Sequence, residues 1–370
     1  MQIREQFSMP RGHYLLSHSV GCLPVGAQAD LARRYFDPWR DLGGDAWAAW
    51  LGEIGRFRGL LGSLIGAPAA AICPQVNVSG ALAKILHALP QRRGRHRLLL
   101  SEEDFPSLGF VLQAAAKLGY EPVFLPRGAA SEDLDVWRAA LDDRTQMALV
   151  THAFSNRSAR LPVAEITALA RARGVTTVVD ATQTAGVVPI DVADWSADFL
   201  VGSCVKYLCG GPGAGYLWAC AEALAQSDPI DTGWFSHANP FAFDIHDFRP
   251  AADALRFWGG TPSIAPFVLA AGALELLLEF GVGAIHAHNQ RLISRLHDMV
   301  PADVIRSARA PQGRGNTVLL QVRDEAQART ALREADVLAD GRDGCIRVSP
   351  HLYNDAGDLD RLVEVLTPYF

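Results

Sequence analysis

Apolar runs alternate with amphipathic segments through most of the chain. Several of these runs are continuous, which is typical of parallel strands that are buried on both faces. The segments between them show helical spacing, as in PSLGFVLQAAAKLG and in PVAEITALARARG, which ends at Gly174. This alternation predicts an α/β domain with a largely parallel sheet. The strand candidates are RLLLS (97–101), EPVFL (121–125), MALVTH (147–152), VTTVVD (175–180), ADFLVGS (197–203) and AGYLWAC (214–220).

The pattern changes near residue 262. A long helical stretch follows, bent around Gly281 to Gly283, and it leads away from the first domain. After it, NTVLLQV, a helical segment, CIRVSP and a final helix predict a compact α+β unit. We therefore expect four parts, namely an N-terminal arm over 1–25, a large domain over 26–262, a long connecting helix over 263–300 and a small C-terminal domain over 301–370.

Composition narrows the classes of partner. A net charge of −6 and a pI near 6.0 give no overall attraction to nucleic acid or to an anionic membrane. We find neither a leader sequence nor an apolar run of roughly 18 residues, so we expect a cytoplasmic protein that binds no membrane. The basic run QRRGRHR (91–97) is interpreted as a solvated loop. The six cysteines form no CxxC pair, and no metal site is predicted.

One lysine stands in an unusual setting. In DFLVGSCVKYLCGGPGAG (198–215), Lys206 is the single cation in a run of apolar and small residues. Burial lowers the pKa of a lysine, and a neutral amine is a nucleophile that forms Schiff bases with carbonyl compounds such as pyridoxal phosphate. A solvated strand end is the alternative reading of the same residues.

Polar side chains end three of the predicted strands. These are His152 after MALVT, Asp180 after VTTVV and Ser203 after ADFLVG. Ligands of open parallel sheets bind at the carboxyl ends of the strands. A buried aspartate needs a cationic partner, and the protonated pyridine nitrogen of pyridoxal phosphate is one such partner. Asp180 alone could instead cap a helix, but with Lys206 one βαβ step later the cofactor interpretation is favoured.

The chain resembles the class V pyridoxal-phosphate enzymes of fold-type I, a group that includes kynureninases, cysteine desulfurases and isopenicillin N epimerase-like proteins. The resemblance implies a large domain with a mostly parallel seven-stranded sheet and a small α+β C-terminal domain. It covers nearly the whole chain, with the motifs in family order. They are HYLLSHSVGCLP near the start, DFPS (104–107), VVDATQTAGVVPIDVADWSADFLVGSCVKYLCGGPGAGYLWA, GWFSH (233–237), GGTPSI (259–264) and IRVSPHLYN (346–354).

This resemblance assigns roles around the cofactor ring. It makes Lys206 the lysine that binds pyridoxal 5'-phosphate covalently and later moves the proton at the α-carbon of the substrate. It pairs Asp180 with the ring nitrogen, and it places Gln183 on the ring hydroxyl with help from Asn156. Phe105 is expected to stack on the ring, a contact that suits the quadrupole of an aromatic side chain.

The resemblance also places the cofactor phosphate. The backbone N–H groups of Val78 and Ser79 begin a predicted helix, NVSGALAKIL, and a helix N-terminus favours an anion. Ser203 is expected to add a hydroxyl. Trp234 and Thr261 resemble residues that reach the phosphate region, Thr261 from the neighbouring subunit. A homodimer with the active site at the subunit interface is therefore implied.

Three residues are expected to bind a small amino-acid substrate. Arg347 matches the arginine that holds the α-carboxylate, a role that suits its two-pronged guanidinium. An exposed strand charge is the alternative for Arg347. His18 and His237 are expected near the substrate, although both could be structural hydrogen-bonding residues.

The reaction is harder to predict than the cofactor. The stretch RSARAPQGRGN (306–316) lacks the mobile-loop cysteine of desulfurases, and Cys345 lies in a strand beside Arg347. Three positions depart from the kynureninase pattern, because Leu108 replaces an aspartate, Gln183 a histidine and Val205 a tyrosine.

We therefore favour a lyase that acts on the β-carbon substituent of an L-amino acid, by β-elimination from an S-substituted cysteine or by a decarboxylation-dependent reaction. Kynureninase-type Cβ–Cγ cleavage, transamination and epimerisation stay open. The presence of Lys206, Asp180, Gln183, Ser203 and Arg347 argues against a non-catalytic scaffold.

Overall fold

The computed structural model describes residues 3–90 and 92–370. Gln91, in the predicted basic loop, and the first two residues of the predicted N-terminal arm lie outside the described residues. Elsewhere in the basic run, arginine side chains bind backbone carbonyls. Arg92 donates to the carbonyl of Gly174 at 2.5 Å, and Arg95 donates to the carbonyls of Thr145 and Arg173, each at 2.7 Å.

A seven-stranded sheet forms the centre of the molecule, as expected. The strands, numbered along the chain, follow the spatial order β4-β10-β9-β8-β7-β5-β6. Only β10 runs antiparallel to its neighbours. The strands of the chain are β1 (Phe7–Ser8), β2 (His13–Tyr14), β3 (Leu23–Pro24), β4 (Ile72–Gln75), β5 (Arg97–Ser101), β6 (Glu121–Leu125), β7 (Thr145–Thr151), β8 (Thr176–Asp180), β9 (Phe199–Ser203), β10 (Gly215–Ala219), β11 (Val318–Gln321), β12 (Val337–Leu338), β13 (Asp340–Arg342) and β14 (Cys345–Val348).

Helices cover both faces of this sheet and build two separate cores. Apolar side chains of each central strand alternate between the two faces, so Leu99 belongs to one core while Leu98 and Leu100 belong to the other. The α-helices are α1 (Ala27–Leu31), α2 (Asp37–Leu42), α3 (Trp47–Ile65), α4 (Val78–Ala88), α5 (Pro106–Ala114), α6 (Leu134–Ala140), α7 (Val163–Ala172), α8 (Ala221–Gln226), α9 (Ala265–Phe280), α10 (Val282–Met299), α11 (Glu325–Glu334) and α12 (Ala356–Leu366).

The stretch predicted as one long connecting helix is two helices, α9 and α10. They meet at Gly281, where the helix axis bends by 77°. Gly281 has φ +78° and ψ 125°, a conformation outside the helical region that costs little without a Cβ. The bend expected around Gly281 to Gly283 is therefore a sharp break.

A smaller three-stranded sheet, β11-β14-β13, packs with α10, α11 and α12 around a third core. The N-terminal arm joins this unit, because β2 pairs in parallel with β12 and Leu15 is buried in the third core. The arm is thus fixed to the C-terminal part of the chain. The four-part division at residues 25, 262 and 300 remains a proposal.

No single helix of the described chain is long and apolar enough to cross a membrane. The pair α9 and α10 satisfies the length and composition test only when taken together across its bend. In α9, seven residues are buried, among them Phe267, Leu274 and Leu277 in the core beneath the large sheet.

Candidate active site

A cavity of about 290 Å³ lies at the carboxyl ends of the central strands. Thr151, Asp180 and Ser203, the last residues of β7, β8 and β9, contribute to its wall. Parallel strands bring their carboxyl ends to one edge, so residues far apart in sequence meet there. Seven residues predicted from the sequence line this cavity, namely Lys206, Asp180, Gln183, Ser203, Phe105, Val78 and Ser79.

Lys206 follows β9 and reaches into this cavity. Its Nζ lies 5.4 Å from the centre of the Phe105 ring. Burial lowers the pKa of Lys206 to about 8, and the negative charge of Asp180 opposes that shift while the cations of Arg347 and Arg342 add to it. Roughly a tenth of this amine is therefore neutral, and nucleophilic, at pH 7, far more than for a free lysine.

Asp180 is buried at the end of β8. Thr182 donates both its backbone N–H, at 2.9 Å, and its hydroxyl, at 2.5 Å, to Oδ1 of this carboxylate. Burial raises the pKa of Asp180, while Thr182 and the charge of Lys206 counteract that shift. Within the described chain Oδ2 accepts no hydrogen bond, so it can face a cationic N–H group.

Gln183 carries an unused acceptor. Its Nε2 donates to the backbone carbonyl of His18 at 3.4 Å, but its buried Oε1 has no hydrogen-bond partner in the described part of the chain. An unsatisfied buried acceptor is costly and marks a place for a donor. The hydroxyl of a bound pyridoxal ring is a donor of this kind.

The first turn of α4 forms another wall of the cavity. Asn77 caps the helix, and its Oδ1 accepts from the N–H of Gly80 at 2.8 Å. The helix begins close to the sheet, since a Cβ at Gly215 would lie 3.1 Å from the Cα of Asn77. The free N–H groups at this end and the hydroxyl of Ser203 suit a phosphate dianion. Asp180 and Gln183, as partners of the ring, and this phosphate site together fit pyridoxal phosphate.

Arg347 and His18 lie beside this cavity rather than in its wall. The Nη1 of Arg347 donates to the carbonyl of Ser155, a wall residue, at 3.1 Å. Both Arg347 and His18 contact one carboxylate, that of Asp340. Two of the three residues expected to bind substrate are therefore brought together.

Asn156 is not among the residues that line the cavity. Its Nδ2 donates to Oε1 of Glu103 at 3.5 Å, and its Oδ1 accepts the N–H of Arg157 at 2.9 Å. Arg157 itself holds Glu103 through two hydrogen bonds, at 2.5 and 2.7 Å. Asn156 thus lies beside this ion pair, and its expected help to Gln183 at the ring hydroxyl stays a prediction.

Trp234, Thr261 and His237 lie outside the cavity of the single chain. The Nε1 of Trp234 donates to Oγ1 of Thr261 at 3.2 Å, and the Trp234 ring stacks on Phe243. His237 has its ring nitrogens 2.7 and 2.9 Å from the carbonyls of Asn239 and Asp247, so it ties this loop together, and its role near the substrate stays a prediction.

The buried carboxyl group of Asp104 was not singled out from the sequence as part of the site. Asp104, next to Phe105, accepts from the hydroxyl of Thr151 at 2.5 Å and from the N–H of Ser101 at 2.8 Å. Burial raises the pKa of Asp104 to about 7. His152, the third polar strand end, is a buried core residue whose pKa falls to about 3, mainly because of that burial. Its Nδ1 lies 2.9 Å from the hydroxyl of Thr184.

Asp340 is the main residue of the site that the sequence analysis did not identify, although the sequence contains a turn that indicates its position. The dipeptide Asp343–Gly344 has positive φ at both residues, as a tight hairpin turn requires. Counting outwards from this turn pairs Arg342 with Cys345 and Asp340 with Arg347. Recognising the turn would have placed a carboxylate directly across from Arg347.

Solved structures share this fold over the full chain. The apo structure of cysteine desulfurase from Thermococcus onnurineus NA1 has a TM-score of 0.86 at 20% identity, covering 99% of this chain and 96% of that one. A mutant of C-DES with glycine covalently linked to the PLP cofactor has a TM-score of 0.90 at 21% identity, covering 99% of both chains. The complex of the cystine C-S lyase C-DES with its product cysteine persulfide has a TM-score of 0.87 at 21% identity, covering 97% of this chain and 98% of that one. The expected fold-type I architecture is confirmed.

Sequence comparison extends the relationship beyond the fold. The uncharacterized aminotransferase YcbU of Bacillus subtilis is 27% identical, covering 98% of this chain and 96% of its own. A kynureninase of Deinococcus radiodurans is 29% identical, covering 97% of this chain and 90% of its own. The family model for aminotransferase class-V matches residues 57–362. Because that match spans well over half of the chain, this protein belongs to the class-V aminotransferase family of pyridoxal-phosphate-dependent enzymes.

Proposed function

We propose that this protein is a lyase that removes the β-substituent from an S-substituted L-cysteine by β-elimination. The observation that carries the proposal is the setting of Lys206, a partly neutral amine that faces the Phe105 ring, shares the cavity with Asp180 and has the apolar Val205 as its chain neighbour. The amine can accept a proton, whereas its immediate neighbour can neither donate nor accept one.

When bound, pyridoxal phosphate supplies an aldehyde for the amino group of the substrate and an electron-withdrawing ring. The chain supplies the remaining functions. Asp180 keeps a negative charge at the ring nitrogen, Phe105 covers one face of the site, and Arg347 holds the α-carboxylate of the substrate. The Nζ of Lys206 takes the proton from the α-carbon.

The nature of the leaving group follows from the apolar residues near Lys206. Leu108 and Val205 line the cavity where a polar acid would be needed to protonate a carbon leaving group. A thiolate needs less help, because a thiol has a pKa of roughly 8.5 and leaves as a stable anion. In the elimination the Cα–H and Cβ–S bonds break, the thiol departs, and hydrolysis yields pyruvate and ammonia.

Kynureninase-type hydrolysis is the second candidate, and the Deinococcus radiodurans kynureninase supports it. Leu108, Gln183 and Val205 argue against kynureninase-type hydrolysis, since they replace an aspartate, a histidine and a tyrosine of the kynureninase pattern. Decarboxylation, transamination and epimerisation use the same binding residues and are further outcomes of the experiment below.

A persulfide-forming desulfurase is disfavoured. Residues 306–316 contain no cysteine, and Cys345 is buried within β14. Burial also raises the pKa of the Cys345 thiol, so little reactive thiolate is present.

The proposed assembly is a homodimer with the active site at the subunit interface. Trp234 is continuous with exposed aromatic side chains, among them Phe243 with 77% of its surface accessible and Phe241 with 46%. A contiguous apolar surface of this kind is typical of a protein interface. A second copy that covers it would bring Thr261 towards the neighbouring phosphate site. A cytoplasmic location stays a prediction.

Product analysis tests the reaction. Purified protein loaded with pyridoxal phosphate is mixed separately with S-methyl-L-cysteine, L-kynurenine and L-alanine, with and without a 2-oxo acid. The proposal predicts pyruvate, ammonia and methanethiol from the first substrate without any oxo acid. Anthranilate from kynurenine would instead support the hydrolase, and strict dependence on the oxo acid would support transamination.

A further inference from the structure

The guanidinium of Arg347 is already bound by a carboxylate of the same chain. Its Nε donates to Oδ1 of Asp340 at 2.8 Å, and its Nη2 donates to Oδ2 of the same residue in a very short contact. Its Nη1 donates to the carbonyl of Ser155 at 3.1 Å. The Arg347 side chain is only 8% exposed, so this arrangement is enclosed.

These bonds leave part of the guanidinium unused. Of the five N–H groups of an arginine, three are taken by Asp340 and Ser155, and one N–H remains on each of Nη1 and Nη2. Ser155 lines the cavity that also contains Lys206. Arg347 thus lies directly behind the wall residue Ser155, and its two remaining N–H groups suit a second carboxylate.

Asp340 is held in place from two directions. The turn at Asp343–Gly344 pairs β13 with β14, which sets Asp340 directly opposite Arg347. The Nε2 of His18 donates to Oδ1 of Asp340 at 3.0 Å. The Nδ1 of His18 lies 2.7 Å from the Ser349 hydroxyl, which fixes the imidazole ring.

The charges favour an anionic Asp340. Its hydrogen bonds with His18 and Arg347, and the charge of Arg347, outweigh the effect of burial and hold the pKa of Asp340 well below its usual range. Burial lowers the pKa of His18, so His18 is a neutral donor near pH 7. The unit therefore consists of one anion, one cation and one neutral imidazole.

We propose that Asp340 is a positioning residue for the α-carboxylate of the amino-acid substrate. It binds the Nε edge of Arg347 and directs the remaining N–H groups of Nη1 and Nη2 to the cavity, while His18 orients Asp340. The proposal rests on the proposed function only in taking Arg347 as the carboxylate-binding residue. A competing role, in which Asp340 occupies the place of the substrate, makes the opposite prediction.

The test compares two probes that differ only in the carboxylate, S-methyl-L-cysteine and 2-(methylthio)ethylamine. Each is titrated into the holoenzyme, and the half-saturation concentration is read from the change in the visible spectrum. The variants are Asp340→Asn, Asp340→Glu and Asp360→Asn. Asp360 forms an exposed ion pair with Arg295 at 2.6 Å, so its substitution removes the same charge at a distant place.

We expect Asp340→Asn to raise the half-saturation concentration of the amino acid about tenfold and to leave that of the amine unchanged. Asp340→Glu should restore part of the loss, and Asp360→Asn should change neither value. Tighter binding of the amino acid by Asp340→Asn would show competition and overturn the proposal. An equal change for both probes, or none, would also overturn it.

A second readout does not depend on activity or on substrate. In the apoprotein, Asp340→Asn exposes Lys206 to the unbalanced charge of Arg347, so the pH midpoint for acylation of Lys206 should fall. This measurement remains decisive if the asparagine variant binds the cofactor poorly, because an unchanged midpoint contradicts the placement of Asp340. If S-methyl-L-cysteine binds without being cleaved, the proposed lyase activity fails while the role of Asp340 is still tested.

Discussion

The Nζ of Lys206 lies 5.4 Å from the centre of the Phe105 ring, although the two residues belong to different connections of the sheet. The parallel sheet brings both connections to the same edge, where Asp180 also ends its strand. The amine of Lys206, the ring of Phe105 and the carboxylate of Asp180 therefore line one cavity.

The Lys206 amine should titrate below the range of a free lysine. Its pKa is about 8, because burial disfavours the ammonium. Asp180 stabilises the ammonium, so Asp180→Asn should lower the midpoint further. The rate of Lys206 acylation in the apoprotein, followed by peptide mass mapping across pH, measures both midpoints. A wild-type midpoint near 10.4 would contradict the account.

Phe105→Leu should weaken cofactor binding by about 1 kcal/mol, or roughly fivefold, because a stacked aromatic face is lost. Phe110→Leu is the matched control, since Phe110 lies on α5 with 66% of its surface exposed and outside the cavity. Equilibrium titration of the apoprotein with pyridoxal phosphate gives both affinities. Equal losses in the two variants would remove the assigned role from Phe105.

Gly215→Ala should impair the phosphate site. The added Cβ would lie 3.1 Å from the Cα of Asn77 and from the carbonyl oxygen of Gln75, so the first turn of α4 must move. We expect weaker cofactor affinity, and a loss of stability of about 1–3 kcal/mol. Gly109→Ala, whose Cβ meets no atom nearer than 3.9 Å, is the control. Unaltered affinity in Gly215→Ala would show that this end of α4 does not bind phosphate.

Asp104 should make the apoprotein less stable as the pH rises. Burial raises its pKa to about 7 in the folded protein, from 3.8 in the unfolded chain. Between these values the folded state holds the extra proton, so the free energy of unfolding should fall from pH 4 to pH 7. Asp104→Asn should flatten this part of the curve, as measured by urea denaturation. An unchanged slope in the variant would argue against the buried carboxyl group.

Much of this fold was predictable because its strands are continuous apolar runs. Six of the seven central strands were located within a few residues. The missed strand, β4 (Ile72–Gln75), has only four residues, contains Pro74 and follows a small-residue stretch, AAA, so it offers a shorter apolar run than the other central strands. It lies at the edge of the sheet, the position where a proline is tolerated.

Site residues at or just after the end of a strand could be predicted from the sequence. Residues that only position another side chain could not. Asp180 and Ser203 end strands, and Lys206 closely follows β9, so local pattern indicates them. Asp340, Thr182 and Asp104 are ordinary polar residues until the fold places them against Arg347, Asp180 and Thr151. Trp234 and Thr261 lie outside the cavity, and the role proposed for Thr261 requires a second copy of the chain.

Borohydride reduction of the yellow holoenzyme, followed by proteolysis and mass spectrometry, tests the central claim most directly. The account predicts one pyridoxyl label, on the peptide that contains Lys206, with no label after Lys206→Ala and full labelling after Lys117→Ala, a substitution at an exposed lysine. A label on another lysine, or retention of the reducible chromophore in Lys206→Ala, would contradict the assignment of Lys206 and the chemistry built on it.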